Sequence, residues 1–127
     1  MVEVRRPSRK SLVRSCDREM SLYVRGRDKM CVICGTRENL TCGHLMSRVA
    51  YSTRWLLDNC FTQCASCNLR HEYNPHPFVA WYVHMFGWDK YEALIRRHSQ
   101  TSKLTSADLE AILIEIKAMR DTTKEAS

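Results

Sequence analysis

Cys31-Val32-Ile33-Cys34-Gly35 and Cys64-Ala65-Ser66-Cys67-Asn68 decide how this chain folds. Each stretch carries a Cys-x-x-Cys pair, and 29 residues lie between the pairs. A two-residue gap lets both sulfurs of a tight turn converge on one ion, and four thiolates about 2.3 Å away suit tetrahedral zinc. Gly35 supplies the permissive backbone that such a knuckle uses. We therefore expect one structural zinc held by Cys31, Cys34, Cys64 and Cys67; the alternative is two unrelated redox motifs or buried thiols. Zinc at such a site carries an apparent free energy on the order of 10–16 kcal/mol. That rivals the whole stability of a small domain, about 5–15 kcal/mol. The interval is longer than in short zinc ribbons, so it must contain structure. Strands over Asn39–Leu45 and about Arg54–Leu57, joined by a loop Met46–Thr53, would fill it, with a short helix from near Cys67. Cys16, Cys42 and Cys60 read as ordinary buried cysteines.

The flanks of this segment look helical. Ser8 is placed to cap a basic helix over residues 8–25, with Leu12, Cys16, Met20 and Tyr23/Val24 as its apolar stripe and Gly26 as its stop. Beyond it, residues 77–121 form a helical C-terminal part. Pro77 suits a first turn, Gly87 closes the aromatic run Phe78–Phe86, and Asp89 can cap the next helix. Tyr91, Leu94, Ile95 and His98 would line that helix's inner face. Thr105–Asp108 resembles a capping box, ahead of a stripe of Leu109, Ile112, Leu113, Ile116 and Met119. Trp55, Trp81 and Trp88 read as core residues, and His76, His84 and His98 as structural or exposed. The whole is expected to be a single α+β domain, residues 1–127, with its core at residues 31–74.

The chain has 127 residues, 20 Lys and Arg against 14 Asp and Glu, a net charge of +6 and seven cysteines. Cysteine in an odd number, in a chain with no apolar run of membrane-spanning length, argues for metal or free thiols in a reducing cytoplasm rather than disulfides. The N-terminal stretch, residues 1–7, is basic and lacks the apolar core of a signal peptide. Nine of the basic side chains fall in residues 1–30 against four acidic ones. Arg14, Arg18, Arg25 and Arg27 could therefore follow a phosphate backbone, or simply form a solvated face. Arg48, Arg54 and Arg70, nearer the cysteines, could clamp phosphates. DNA or RNA is the partner that this charge suggests first.

Interleaved with the cysteines stand Gly43-His44, Asp58-Asn59 and Cys67-Asn68. This order resembles the zinc-containing His-Asn-His (HNH, ββα-metal, His-Me finger) endonucleases, and Asn directly after the last cysteine resembles phage endonuclease VII. The closer resemblance is to the NinG/Rap family of phage recombination endonucleases. Asp17-Arg-Glu-Met-Ser21-Leu-Tyr23-Val-Arg25-Gly-Arg27-Asp28 fits the pattern that precedes their first cysteine pair. Arg54-Trp-Leu-Leu-Asp-Asn59, Gln63-Cys64, Cys67-Asn68 and Asn74 also fall in place. The likeness spans roughly residues 17–98.

The resemblance implies a zinc-stapled ββα-metal core that hydrolyses DNA phosphodiesters in branched recombination intermediates such as Holliday junctions or D-loops. It implies a structural zinc ion, catalytic Mg²⁺ or Mn²⁺ and no small-molecule cofactor. It also implies a homodimer for symmetric cuts and a phage or prophage setting within a bacterial cell. His44 would be the general base, since an imidazole of pKa about 6.5 suits neutral pH. Asn59 would orient it, and Asn68 would offer a carbonyl oxygen to the cation. Endonuclease VII-like enzymes carry an acidic metal ligand directly before the His, and here that position is Gly43, as in the NinG/Rap pattern. His71 or Glu72, one helical turn after Asn68, could supply the missing ligand, or either could be a surface residue. Three alternatives stay open: a zinc-containing DNA-binding module without catalysis, an HNH nicking enzyme without branch preference, and a zinc-bearing protein–protein adaptor.

Overall fold

Helix α1 (Arg9–Asp28) forms where Leu12, Cys16, Met20 and Val24 recur at helical spacing, and all four side chains are buried. The computed structural model describes residues Arg6–Ala126, with side chains as far as Thr122. The stretch expected to carry no leader lies largely outside them. Ser8 caps α1, its hydroxyl accepting from Ser11 N at 3.1 Å. Gly26 does not end the helix. The last turn continues to Asp28, whose carboxylate accepts from Thr62 N at 2.8 Å, while Arg27 donates to Cys60 O at 2.8 Å. These tertiary bonds hold the turn helical past the glycine, and Lys29 makes the left-handed exit instead, at φ 65°.

The described residues form two compact units, 6–23 with 104–126, and Val24–Lys103. In the first, α1 residues meet helix α6 (Ser106–Ala126): Cys16 Sγ donates to Leu109 O at 3.5 Å, and the nearly buried Glu19 pairs with Arg120. The expected capping box is reciprocal, Thr105 N donating to the Asp108 carboxylate and Asp108 N to Thr105 Oγ1. Those bonds hold the Asp108 carboxyl below its ordinary range.

The second unit is mixed. Strand β1 (Leu40–His44) pairs antiparallel with β2 (Cys60–Cys64), in the register Leu40 opposite Cys64 and His44 opposite Cys60. Between them lie the one-turn helix α2 (Tyr51–Arg54) and a 3₁₀ turn (Leu57–Asn59). The second strand thus stands several residues later than Arg54–Leu57. All five of its residues are buried, which erases the alternation by which a strand is recognised. Helix α3 (Ala65–His71) follows directly, beginning before Cys67 because Cys64 is its cap. Helices α4 (His76–Phe86) and α5 (Trp88–His98) complete the unit. Gly87, at φ 90°, separates them and takes the cap position expected of Asp89, which lies in the first turn.

Leu45, Phe61, Phe78, Tyr82 and Leu94 form the core of this unit, with Phe61 edge-on to Phe78 at 6.3 Å. Burial, and to a lesser degree the charge of Asp58, pushes the Tyr82 hydroxyl up to about 12. Trp55 and Trp81 pack inward as expected, but Trp88 is 57% exposed and bonds to Glu92 at the start of α5. Ile95, read as inward-facing, is exposed beside the buried Leu94. No described helix is long and apolar enough to cross a membrane.

Candidate functional site

The two cysteine knuckles have the same construction. Cys34 N points at Cys31 Sγ at 3.5 Å, and Cys67 N at Cys64 Sγ at 3.4 Å. Gly35 closes the first turn at φ 80°, donating to Cys31 O at 2.9 Å. The second is the strand-to-helix junction, so β2 delivers Cys64 and the first turn of α3 delivers Cys67. The four sulfurs lie within 4.8 Å of one another, and all are free thiols. Cys34 Sγ and Cys64 Sγ stand 3.8 Å apart. Bonds of about 2.3 Å to a tetrahedral ion put sulfurs about 3.8 Å apart, whereas a disulfide needs about 2.05 Å.

The electrostatics agree. Burial opposes ionisation of Cys31, but peptide N–H groups of Cys34, Cys64 and Ile33 outweigh it and lower its thiol to about 7. Burial and the neighbouring sulfurs of Cys64, Cys31 and Cys34 push Cys67 up to about 12. One thiolate forms readily and resists the formation of more, a conflict that a divalent cation relieves. The quartet can bind a metal ion, and its ligand set fits zinc.

Beside it, β1, the loop after it and α3 line a cleft of about 520 Å³. His44, Asn68, His71 and Glu72 all reach this cleft, joined by Arg48, Ser47 and Cys42. His44 Nε2 lies 3.0 Å from Arg54 O. A carbonyl can only accept, so Nε2 carries the proton and the lone pair sits on Nδ1, the form a base requires. Asn68 is fixed by similar logic. Thr41 Oγ1 donates to Gln63 O at 2.8 Å, so it accepts from Asn68 Nδ2 at 3.1 Å, leaving the Asn68 carbonyl oxygen for a hard cation. His71 Nε2 donates to Leu45 O at 2.9 Å, and its ring lies edge-on to Phe78 at 5.0 Å. Its Nδ1 is buried without a hydrogen-bond partner, whereas Glu72, the cap residue of α3, is exposed.

Asn59 makes no hydrogen bond to His44. It is wholly buried, with Oδ1 accepting from Met46 N at 2.6 Å and Nδ2 donating to Met46 O and Thr53 O at 3.1 and 3.0 Å. Its part is to brace the loop whose next carbonyl, that of Arg54, holds the imidazole. The orientation expected of it is therefore indirect.

Gly43 has a physical reason. A Cβ there would stand 2.3 Å from Gln63 Oε1 and 3.0 Å or less from Gln63 Cδ and Cγ. Gln63 is 1% exposed and fills the space in which an acidic side chain would begin. Among the residues lining the cleft, Glu72 is the single carboxylate.

The arginines divide. Arg14, Arg18 and Arg70 are exposed and Arg48 borders the cleft, while Arg25 is half-buried. Arg54 is built into the fold, bonded to Arg48 O at 3.2 Å and packed over the rings of Tyr51 and Trp55. Arg27 is likewise tied to Asp28 and Cys60 O and lies over Phe61. Neither presents the open guanidinium that a phosphate clamp needs. Sequence reasoning also missed the half-buried Cys42 in the cleft, Gln63, and the Thr41 bridge. Cys42-x-His44 spacing on one strand was the available signal, since residues two apart share a face.

Neither the curated proteins nor the solved structures yield a match to this chain. Residues 5–126 match the family described as bacteriophage lambda NinG protein, and the chain belongs to that family.

Proposed function

We propose that this NinG-family chain is a metal-dependent DNA endonuclease with an HNH (ββα-metal) core, cutting branched recombination intermediates such as Holliday junctions or D-loops. One observation carries this reading: His44 and Asn68 line one cleft, His44 held through Nε2 by Arg54 O and Asn68 through Nδ2 by Thr41 Oγ1. In this scheme His44 Nδ1 takes the proton of the attacking water. The Arg54 carbonyl keeps the imidazole in that tautomer, and Asn59 keeps the carbonyl in place. Asn68, with His71 or Glu72, would hold Mg²⁺ or Mn²⁺, which stabilises charge developing on the phosphate. Arg48 at the cleft and exposed Arg70, Arg14 and Arg18 supply phosphate contacts. The cysteine quartet, filled by zinc, acts as scaffold alone, because four thiolates leave no open coordination position. A homodimer would supply the paired cuts that a junction requires.

A second reading, a zinc-bearing DNA-binding module without catalysis, draws support from Gly43, because Gln63 occupies the space of the acidic ligand. Purified protein with Mg²⁺ or Mn²⁺ and a synthetic four-way junction decides between them. The nuclease reading expects cleavage that His44→Ala abolishes while binding persists. Junction binding with no cleavage under any divalent ion would sink it. Equal cutting of junction, flap and linear duplex at one salt concentration would remove the branch preference alone.

A further inference from the structure

A second group of metal-ligating side chains lies outside the quartet. One ligand atom each from Cys42, His44 and Cys60 falls within 4.8 Å of the other two. The sheet register explains the convergence. Cys42 and His44 are two residues apart on β1 and share a face, and His44 stands directly opposite Cys60 on β2. Arg54 O fixes two of the three, drawing the Cys60 thiol at 3.4 Å and His44 Nε2 at 3.0 Å. A backbone carbonyl on one imidazole nitrogen is the usual device for aiming the other at a metal. Cys42 and His44 also line the cleft, which gives an ion a way in, whereas Cys60 is fully buried beneath them.

Two thiols and an imidazole are the wrong donors for Mg²⁺ or Mn²⁺, which prefer oxygen, and the right ones for Zn²⁺. We propose that Cys42, His44 and Cys60 form a second zinc site, of the open three-ligand type, entered from the cleft. Binding displaces one proton from each thiol, takes the neutral imidazole as it stands, and leaves a fourth position to water. Nothing is oxidised. The site uses the same imidazole that serves as base, so the two uses exclude each other. On the nuclease reading, zinc beyond that needed by the quartet therefore inhibits cleavage. This consequence rests on that reading, whereas the binding does not.

The test equilibrates the full chain with buffered free zinc and counts bound metal. Wild type is expected to hold about two zinc ions and Cys42→Ser about one, with circular dichroism showing that the variant is folded. Because Cys42 is only half-buried, this variant is preferred to one at Cys60. Cobalt gives an independent readout: a second equivalent should add sulfur-to-cobalt absorption in wild type that Cys42→Ser and His44→Ala each lose. A single zinc per wild-type chain, or a second zinc kept undiminished by both variants, overturns the site. In a junction-cleavage assay, each protein is compared with its own rate at quartet-filling zinc. Cys42→Ser should need at least about tenfold more zinc for half-inhibition, given what the loss of even an outer partner does to metal affinity. If no protein cleaves DNA, the nuclease reading fails while metal counting still judges the site.

Discussion

Gly43→Ala should destabilise the protein, against the ordinary sign of such a change. Gly43 lies within β1, and it is not among the residues at positive φ. Alanine in a strand interior is normally better than glycine by about 0.5–1 kcal/mol. Here the new methyl would stand 2.3 Å from Gln63 Oε1, 2.9 Å from Cδ and 3.0 Å from Cγ. An ordinary contact is about 3.4 Å or more, so Oε1 must retreat by about 1 Å and Cδ and Cγ by about half of that. Swinging the amide alone leaves Cδ and Cγ too close. Gln63 is 1% exposed, and the void that it borders, about 10 Å³, is too small to take the displaced amide. Overpacking of this kind costs about 1–3 kcal/mol, and in a unit of this size each kcal/mol lowers Tm by about 4–8 °C. Thermal unfolding of the zinc-saturated protein should fall by at least about 4 °C. Gln63→Ala should itself destabilise, by leaving a void. In that background Gly43→Ala should do no further harm, a coupling well beyond the roughly 0.3–0.5 kcal/mol scatter of independent sites. If Gly43→Ala raises Tm, or the two changes simply add, Gln63 is not what excludes a side chain from position 43.

Three further outcomes follow from the same geometry. Cys31→Ser or Cys67→Ser should lose the quartet's zinc and most of the ordered structure of residues 24–103, whereas His44→Ala should stay folded and keep the quartet's zinc; metal analysis with circular dichroism separates the two. Zinc retention against a competing chelator should weaken as pH falls through 7. Cys31, lowered to about 7, is mainly thiolate above that pH and protonated below it, and Cys67, at about 12, must release its proton to solvent when the metal binds at any lower pH; retention that is flat from pH 8 to 6 would contradict this. Asn59→Asp should be nearly as harmful as Asn59→Ala, because two of its three bonds need the amide N–H groups. Met46 O would be left unpaired, at about 1–3 kcal/mol, while Thr53 O would keep its other partner, Leu56 N at 3.2 Å, so urea unfolding of the aspartate variant at wild-type midpoint would show that the brace is unnecessary.

What the sequence disclosed and what it hid divide along physical lines. The quartet was legible because metal ligands must recur at fixed spacing whatever lies between them. Strand β1, the α4 stop at Gly87 and the Thr105–Asp108 box were legible because turns and caps have local chemistry. Strand β2 was not, because Cys60–Cys64 is buried throughout and carries no period of two. Gly26 misled because what keeps α1 helical beyond it is a set of bonds to Cys60 and Thr62, more than thirty residues away. His44, Asn68, His71 and Glu72 were each nominated, and the fold brings them to one cleft. The Asn59 contact was misjudged because its partners are backbone atoms, which no residue pattern records.

The two principal cleft residues are held by separate devices, and this determines what each perturbation should do. Asn68 follows Cys67 directly and is bonded to Thr41, so its position depends on the knuckle that starts α3. His44 depends instead on Arg54 O, and through Asn59 on the loop between the strands, with no cysteine of the quartet in that chain of contacts. On the proposed nuclease reading, partial loss of zinc should therefore displace Asn68 and His71 before it frees the imidazole, and cation affinity should fall before the proton-accepting group is lost. Damage at Asn59 should do the reverse. Raising the Mg²⁺ or Mn²⁺ concentration would then restore cleavage to protein partly stripped of zinc but not to Asn59→Asp. Equal rescue of both would mean that loop and helix move as one body and that the separation drawn from the bonding pattern is wrong.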